Sequence, residues 1–152
     1  MPRVLIRADG AARGNPGPAS SGAVIIDASR PDAKAPDCAP VAVISRPLGI
    51  QTNNYAEYMA VILALEKALA LGAREVDLVL DSLLIVEQLS GRWKVKHSAI
   101  KPLVQRARAL LARLDRWSVR HERRESNVAA DALANLALDD PVAARRAEAR
   151  VG

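Results

Sequence analysis

Phenylalanine is absent from these 152 residues, and Trp and Tyr occur only twice each. The core must therefore be built from Leu, Val, Ile and Ala, which a chain that is 50% hydrophobic can supply. The single cysteine, Cys38, rules out an internal disulfide, and it lacks the Cys or His neighbours that a zinc site needs. No apolar run approaches the ~20 residues of a membrane-spanning helix. Val4-Leu5-Ile6 is followed at once by Arg7 and Asp9, unlike a secretory signal. The expectation is a chain without a membrane partner, working in a reducing cytoplasm.

What is present points to one globular unit. A chain of this length buries roughly 70% of its unfolded surface, enough for one core and too little for two. The formal net charge is +5 and the pI is near 9.9, a balance that favours a polyanionic partner.

Residues 4–9 read as a strand. The turn Gly14-Asn15-Pro16-Gly17-Pro18 leads to a second strand over 22–27, and a Pro-rich connection over 28–40 leads to a third over 41–46. From Asn54 the spacing turns helical, with Tyr58, Met59, Ile62, Leu63 and Leu69 on one side and Gly72 as the stop. An almost wholly apolar strand follows over 76–80, as expected of one buried on both faces. A short helix over 82–89 ends at Gly91, and Ile100, Leu103, Val104, Ala107, Leu110, Leu111 and Leu114 define an amphipathic helix. A strand over 117–122 and a helix over 128–138 complete the series. The fold class expected is α/β: a five-stranded mixed sheet, three antiparallel strands first, with helices on both faces. The domain is expected over 1–140. Residues 141–152, loosely alternating Ala and Arg, show no core-forming face and are expected to be a flexible tail, frayed helix or linker.

Four acids stand at the junctions of these elements: Asp9, Glu57, Asp81 and Asp131. Each has a structural role open to it. Asp9 fits a turn, Glu57 a capping box with Asn54, Asp81 a helix N-cap, and Asp131 the positive end of the last helix. Together they say more. Asp9 and Asp81 both close apolar strands, so neighbouring strands would present the two carboxylates side by side. Crowded carboxylates repel one another unless a cation neutralises them, and an all-oxygen set suits Mg²⁺ or Mn²⁺ better than zinc.

The motif blocks around these acids resemble a type 1 ribonuclease H. They are Asp9-Gly10 with Gly14-Asn15-Pro16-Gly17-Pro18, then Thr52-Asn53-Asn54-Tyr55-Ala56-Glu57, then Asp81-Ser82, and last Glu125-Ser126-Asn127 with Ala130-Asp131 and Leu133-Ala134. The resemblance covers about residues 3–138. It implies an endonuclease that hydrolyses the RNA strand of an RNA/DNA hybrid, with two divalent ions held by Asp9, Glu57, Asp81 and Asp131. In that scheme one ion lowers the pKa of the attacking water and the other stabilises the leaving 3′ oxygen, the two lying ~4 Å apart. The products implied are a 5′-phosphate and a 3′-hydroxyl.

The resemblance also assigns substrate contacts. Asn15, Asn53 and Asn54, with Gly10 and Ser82, are expected along the minor groove, where a 2′-hydroxyl distinguishes RNA from DNA. Capping and turn roles compete for all three asparagines. The loop holding Arg92, Trp93, Lys94 and Lys96 pairs cations with an aromatic and is expected to grip phosphate and sugar. The stretch from Leu89 to Ile100 is too short for the separate basic helix of longer relatives. A mobile group that helps product or metal leave is expected near Asp131. His121, Arg124 and Glu125 are the alternatives for it, and a structural histidine is the competing role for His121. Some bacterial relatives carry a fused phosphatase-like domain, so a further C-terminal domain is expected as a partner in the same chain. A hybrid-binding module without activity has no use for four mutually repelling acids, and the Thr52-Asn53-Asn54 block points away from a resolvase, transposase or exonuclease on the same fold.

Overall fold

The computed structural model describes residues 2–151. The elements run β1 (Arg3–Ala12), β2 (Gly17–Asp27), β3 (Ala42–Gln51), α1 (Asn53–Ala70), β4 (Glu75–Leu80), α2 (Leu83–Leu89), α3 (Lys101–Leu111), β5 (Arg116–His121), α4 (Val128–Asp139) and α5 (Pro141–Val151), with a 3-10 turn at Arg124–Ser126. The five strands form one sheet in the order β3-β2-β1-β4-β5. The first three are antiparallel, and β4 and β5 run parallel to β1 and to each other. This is the expected mixed sheet.

Side-chain alternation along β1 divides the core into two layers. Val4, Ile6 and Ala8 join Ile25, Ile44 and Leu78 under α1, α2 and α3. Leu5 joins Val24, Ile26, Val43 and Val79 on the other face, where Leu133 of α4 and Ala147 of α5 pack. Aliphatic residues and alanine fill both layers, as the lack of Phe requires. Gly72 and Gly91 follow the ends of α1 and α2 with positive φ, as their places in the sequence suggest.

Two expectations are corrected. β1, β2 and β3 run past the apolar stretches that mark them, because the backbone ladder continues through Gly10-Ala11-Ala12 and Ala19-Ser20-Ser21. Asp9 therefore lies within β1 and not at its end. The segment expected to be a tail lacking a core-forming face instead forms α5 against β3. Ala144 is fully buried, Ala147 and Val151 pack on the second layer, and the Glu148 carboxylate accepts the main-chain N–H of Ser45 at 2.9 Å and the Arg46 guanidinium at 2.7 Å. The small side chains that hid this face in the sequence are what let the helix lie close to the strand.

Candidate active site

The β1–β4 ladder pairs Ala8 with Leu80 and goes no further, so Asp9 and Asp81 are the next residues of two adjacent parallel strands. Two glycines bring the other acids to them. A Cβ on Gly10 would lie within 2.8 Å of Glu57 N, Ala56 C and Glu57 Cα, so the start of α1 rests directly on this point of β1. Gly22, opposite Asp9 on β2, is matched to α4: a Cβ there would lie within 3.0 Å of Ala130 O, Ala134 N and Ala134 Cα. Buried hydroxyls fix both helices. Ser21 Oγ donates to Ala56 O at 2.8 Å, Ser45 Oγ to Leu133 O at 2.6 Å, and Ser20 Oγ to Ala134 O.

The four acids therefore share one electrostatic environment. Asp9 is pushed up to about 8, first by burial, then by the charges of Asp81, Asp131 and Glu57 and a hydrogen bond with Asp131. Burial raises Glu57 to about 7, with Asp81 adding to the rise while the Ser82 hydroxyl and the Arg124 charge oppose it. Among the described residues no three of these side chains are already closed to cation-ligating spacing. Their backbone positions are fixed by strand register and glycine contacts, which leaves side-chain torsions as the adjustable part. The donor set fits a hard divalent cation: the ligands are all oxygens, and Glu57 Oε2 is buried without a hydrogen-bond partner.

Most of the structural roles open to these acids are taken by other residues. Thr52 is the N-cap of α1, its Oγ1 accepting Tyr55 N–H at 3.2 Å, and Ser82 is the N-cap of α2, its Oγ accepting Ile85 N–H at 3.4 Å. Glu57 and Asp81 are left free of capping. Asp131 does lie in the first turn of α4.

Asn15 and Asn53 are linked, Asn15 Oδ1 accepting the Asn53 main-chain N–H at 3.0 Å, while Asn53 Nδ2 donates to Glu57 Oε1 at 3.2 Å. Asn54 is exposed on the first turn of α1. In the α2–α3 loop Trp93 is 46% exposed, and Lys94 and Lys96 are exposed beside it. Arg92 is engaged by Glu87 through two hydrogen bonds, at 2.5 and 3.0 Å, so it is the least available of the expected phosphate ligands. His121, at the end of β5, is exposed with Nε2 3.2 Å from Asp81 O. Arg124 lies within electrostatic reach of Glu57, and Glu125 is exposed in the same turn.

Asn127, within the last motif block, has a role that the sequence alone does not reveal. Asn127 is 2% exposed, and its Nδ2 donates to Ala8 O at 3.0 Å and to Asp81 Oδ2 at 3.4 Å. It thus joins β1, the third acid and the start of α4. Its position four residues before Asp131 was the available signal. A buried Tyr58 hydroxyl donating to Gln88 Oε1 at 2.6 Å similarly joins α1 to α2.

A mixed sheet with acids gathered at the end of its parallel pair defines a ribonuclease H-like domain, and the family model described as reverse transcriptase-like matches residues 7–137. Ribonuclease HI of Halobacterium salinarum is 44% identical over 138 residues, 91% of this chain and 65% of its own length. The crystal structure of RNase H1 from that archaeon superposes with a TM-score of 0.82 at 43% identity, covering 91% of this chain and 98% of that one. Ribonuclease H of Chromohalobacter salexigens is 36% identical over 96% of this chain and 90% of its own length. The chain belongs to the ribonuclease H family, type 1. It spans 38% of the length of the bifunctional protein Rv2228c of Mycobacterium tuberculosis, to which it is 42% identical over 147 residues. LC11-RNase H1, solved in complex with an RNA/DNA hybrid, matches with a TM-score of 0.80 at 35% identity, covering 91% of this chain and 99% of that one.

Proposed function

We propose that this chain is an endonuclease that hydrolyses the RNA strand of RNA/DNA hybrids, using two Mg²⁺ or Mn²⁺ ions held by Asp9, Glu57, Asp81 and Asp131. The observation that carries the reading is the gathering of these acids in a buried place: burial first, and then the neighbouring acids, push Asp9 up to about 8, and Glu57 Oε2 is buried without a hydrogen-bond partner. A protein gains nothing from such an arrangement unless a cation relieves it.

Two divalent ions, when bound, supply an attacking water of lowered pKa and positive charge for the leaving 3′ oxygen, giving 5′-phosphate and 3′-hydroxyl ends. The chain's own residues do the rest. Ser82 and Asn53 orient the Glu57 carboxylate, and Asn127 orients that of Asp81. Asn15, Asn53 and Asn54, with the Gly10 and Ser82 backbones, would meet the minor groove of the hybrid, where 2′-hydroxyls mark the RNA strand. Trp93, Lys94 and Lys96, exposed together, offer an aromatic face to a sugar and two charges to backbone phosphates. The relative solved with a hybrid supports this substrate.

Arg124 is the favoured auxiliary group, because its charge reaches Glu57; His121, exposed against Asp81 O, is the other. Among the described residues no helix is long and apolar enough to cross a membrane. The Mycobacterium relative, whose RNase H domain is N-terminal in a much longer protein, supports a further domain joined after α5.

Incubating a labelled hybrid with Mg²⁺ or Mn²⁺ tests the proposal. The expected result is shortened RNA with 5′-phosphate ends, lost in Asp81→Asn. An intact hybrid in the presence of folded, metal-replete protein would reject it.

A further inference from the structure

A line of hydrogen bonds runs from the β1–β2 turn into the acid cluster. Asn15, exposed in that turn, uses only its carbonyl oxygen there, accepting the Asn53 main-chain N–H at 3.0 Å. Asn53 spends its side-chain amide on Glu57 Oε1 at 3.2 Å. The other carboxylate oxygen, Glu57 Oε2, is buried and unpartnered. One oxygen is thus held by Asn53 and the other is left for an incoming ligand.

Capping alone does not account for the line. Thr52 already caps α1, and the Asn53 N–H is an exposed helix-start donor that water could satisfy. Linking Asn15 to it fixes the turn against the helix at the residue that holds Glu57. Asparagine has two amide hydrogens and a carbonyl oxygen, so both residues keep groups with which to meet a sugar or a base edge.

We infer that Asn15 and Asn53 form a positioning relay, through which a nucleic-acid duplex seated on the β1–β2 turn sets how firmly Glu57 holds a divalent cation. The inference rests on the reading of the four acids as a cation site. Binding linkage then runs both ways: cation at Glu57 tightens the duplex by the factor with which the duplex tightens the cation. Asn53 acts directly on Glu57, and Asn15 acts through Asn53.

The test measures Mn²⁺ affinity of the full chain by electron paramagnetic resonance without nucleic acid, for the unsubstituted protein, Asn53→Ala, Asn15→Ala and the double variant, with a thermal melt of each. Loss of a group that orients a metal ligand weakens affinity by about tenfold, and that is expected for Asn53→Ala, with a smaller loss for Asn15→Ala. In the double variant Asn15→Ala should add nothing, because its route to Glu57 has already gone. Asn15→Ala that lowers the melting temperature but leaves Mn²⁺ affinity unchanged overturns the relay and makes Asn15 a cap only. Additive losses overturn it as well. If the unsubstituted chain binds no Mn²⁺, the cation reading fails and the relay with it.

Discussion

Asp9 stands directly across the β1–β2 ladder from Gly22, and that glycine is where α4 lies against the sheet. The pairing ties the first acid to the element carrying the last. A methyl group at Gly22 would press on Ala130 and Ala134, and one at Gly10 on Glu57 itself. Gly22→Ala and Gly10→Ala are each expected to cost about 1–3 kcal/mol, as overpacking does, and to weaken Mn²⁺ binding. Denaturant melts and metal titrations check this. A normal Mn²⁺ affinity in either folded variant would show that close helix approach does not build the site.

The titration of the acids has a definite sign. Asp9 at about 8 and Glu57 at about 7 lie above the value near 4 that such groups have in an unfolded chain. Between these limits the native state binds more protons than the unfolded one, so stability falls as pH rises. The contribution is complete below about pH 4 and gone above about pH 8. Metal-free protein is therefore expected to melt at progressively lower temperature from these groups across that window. Saturating Mg²⁺ should flatten the decline, and Asp9→Asn should remove much of it while raising the metal-free melting temperature at pH 8. Melts at several pH values, with and without metal, measure it.

Asn127→Ala removes the donor shared by Ala8 O and Asp81 Oδ2. Leaving a buried carbonyl unpaired costs about 1–3 kcal/mol, and loosening a metal ligand costs about tenfold or more in metal affinity or activity. Both losses are expected, with kcat falling more than KM rises. Steady-state kinetics on a hybrid would show them. An unchanged kcat would reduce Asn127 to a packing residue.

Ending the chain after Asp140 would remove α5, uncover the second core layer and leave the edge N–H of Ser45 without Glu148. The truncated protein should lose about 2–3 kcal/mol by loss of apolar burial. It should also associate through the exposed β3 edge, as unpaired edges do. Size-exclusion chromatography beside a thermal melt checks both. A monomer of unchanged stability would restore the reading of this segment as a tail.

The order of elements was legible because apolar runs and helical spacing mark the buried parts of β1, β4, α1 and α3. The four acids stand out through their motif blocks, and the β1–β4 register with the Gly10 and Gly22 contacts brings the segments that carry them together. Other features escaped for particular reasons. The outer halves of β1, β2 and β3 are held by backbone pairing, which leaves little pattern in small residues such as Gly10 and Ser20. α5 buries alanines, whose loss of area is too small to stand out against the arginines between them. The roles of Thr52 and Ser82 as caps, which free Glu57 and Asp81, depend on where the helices begin, and that is fixed only by the fold. The pairing of Arg92 with Glu87, a relation across one helical end, likewise depends on how the chain leaves α2.

The central claim is that four carboxylates, from β1, α1, the end of β4 and α4, enclose divalent cations. Crystals grown with Mn²⁺ and measured at its absorption edge would test it most directly. Anomalous peaks among Asp9, Glu57, Asp81 and Asp131, lost in Asp9→Asn, are the expected result. Manganese found elsewhere, or none at this site at saturating concentration, would contradict the account.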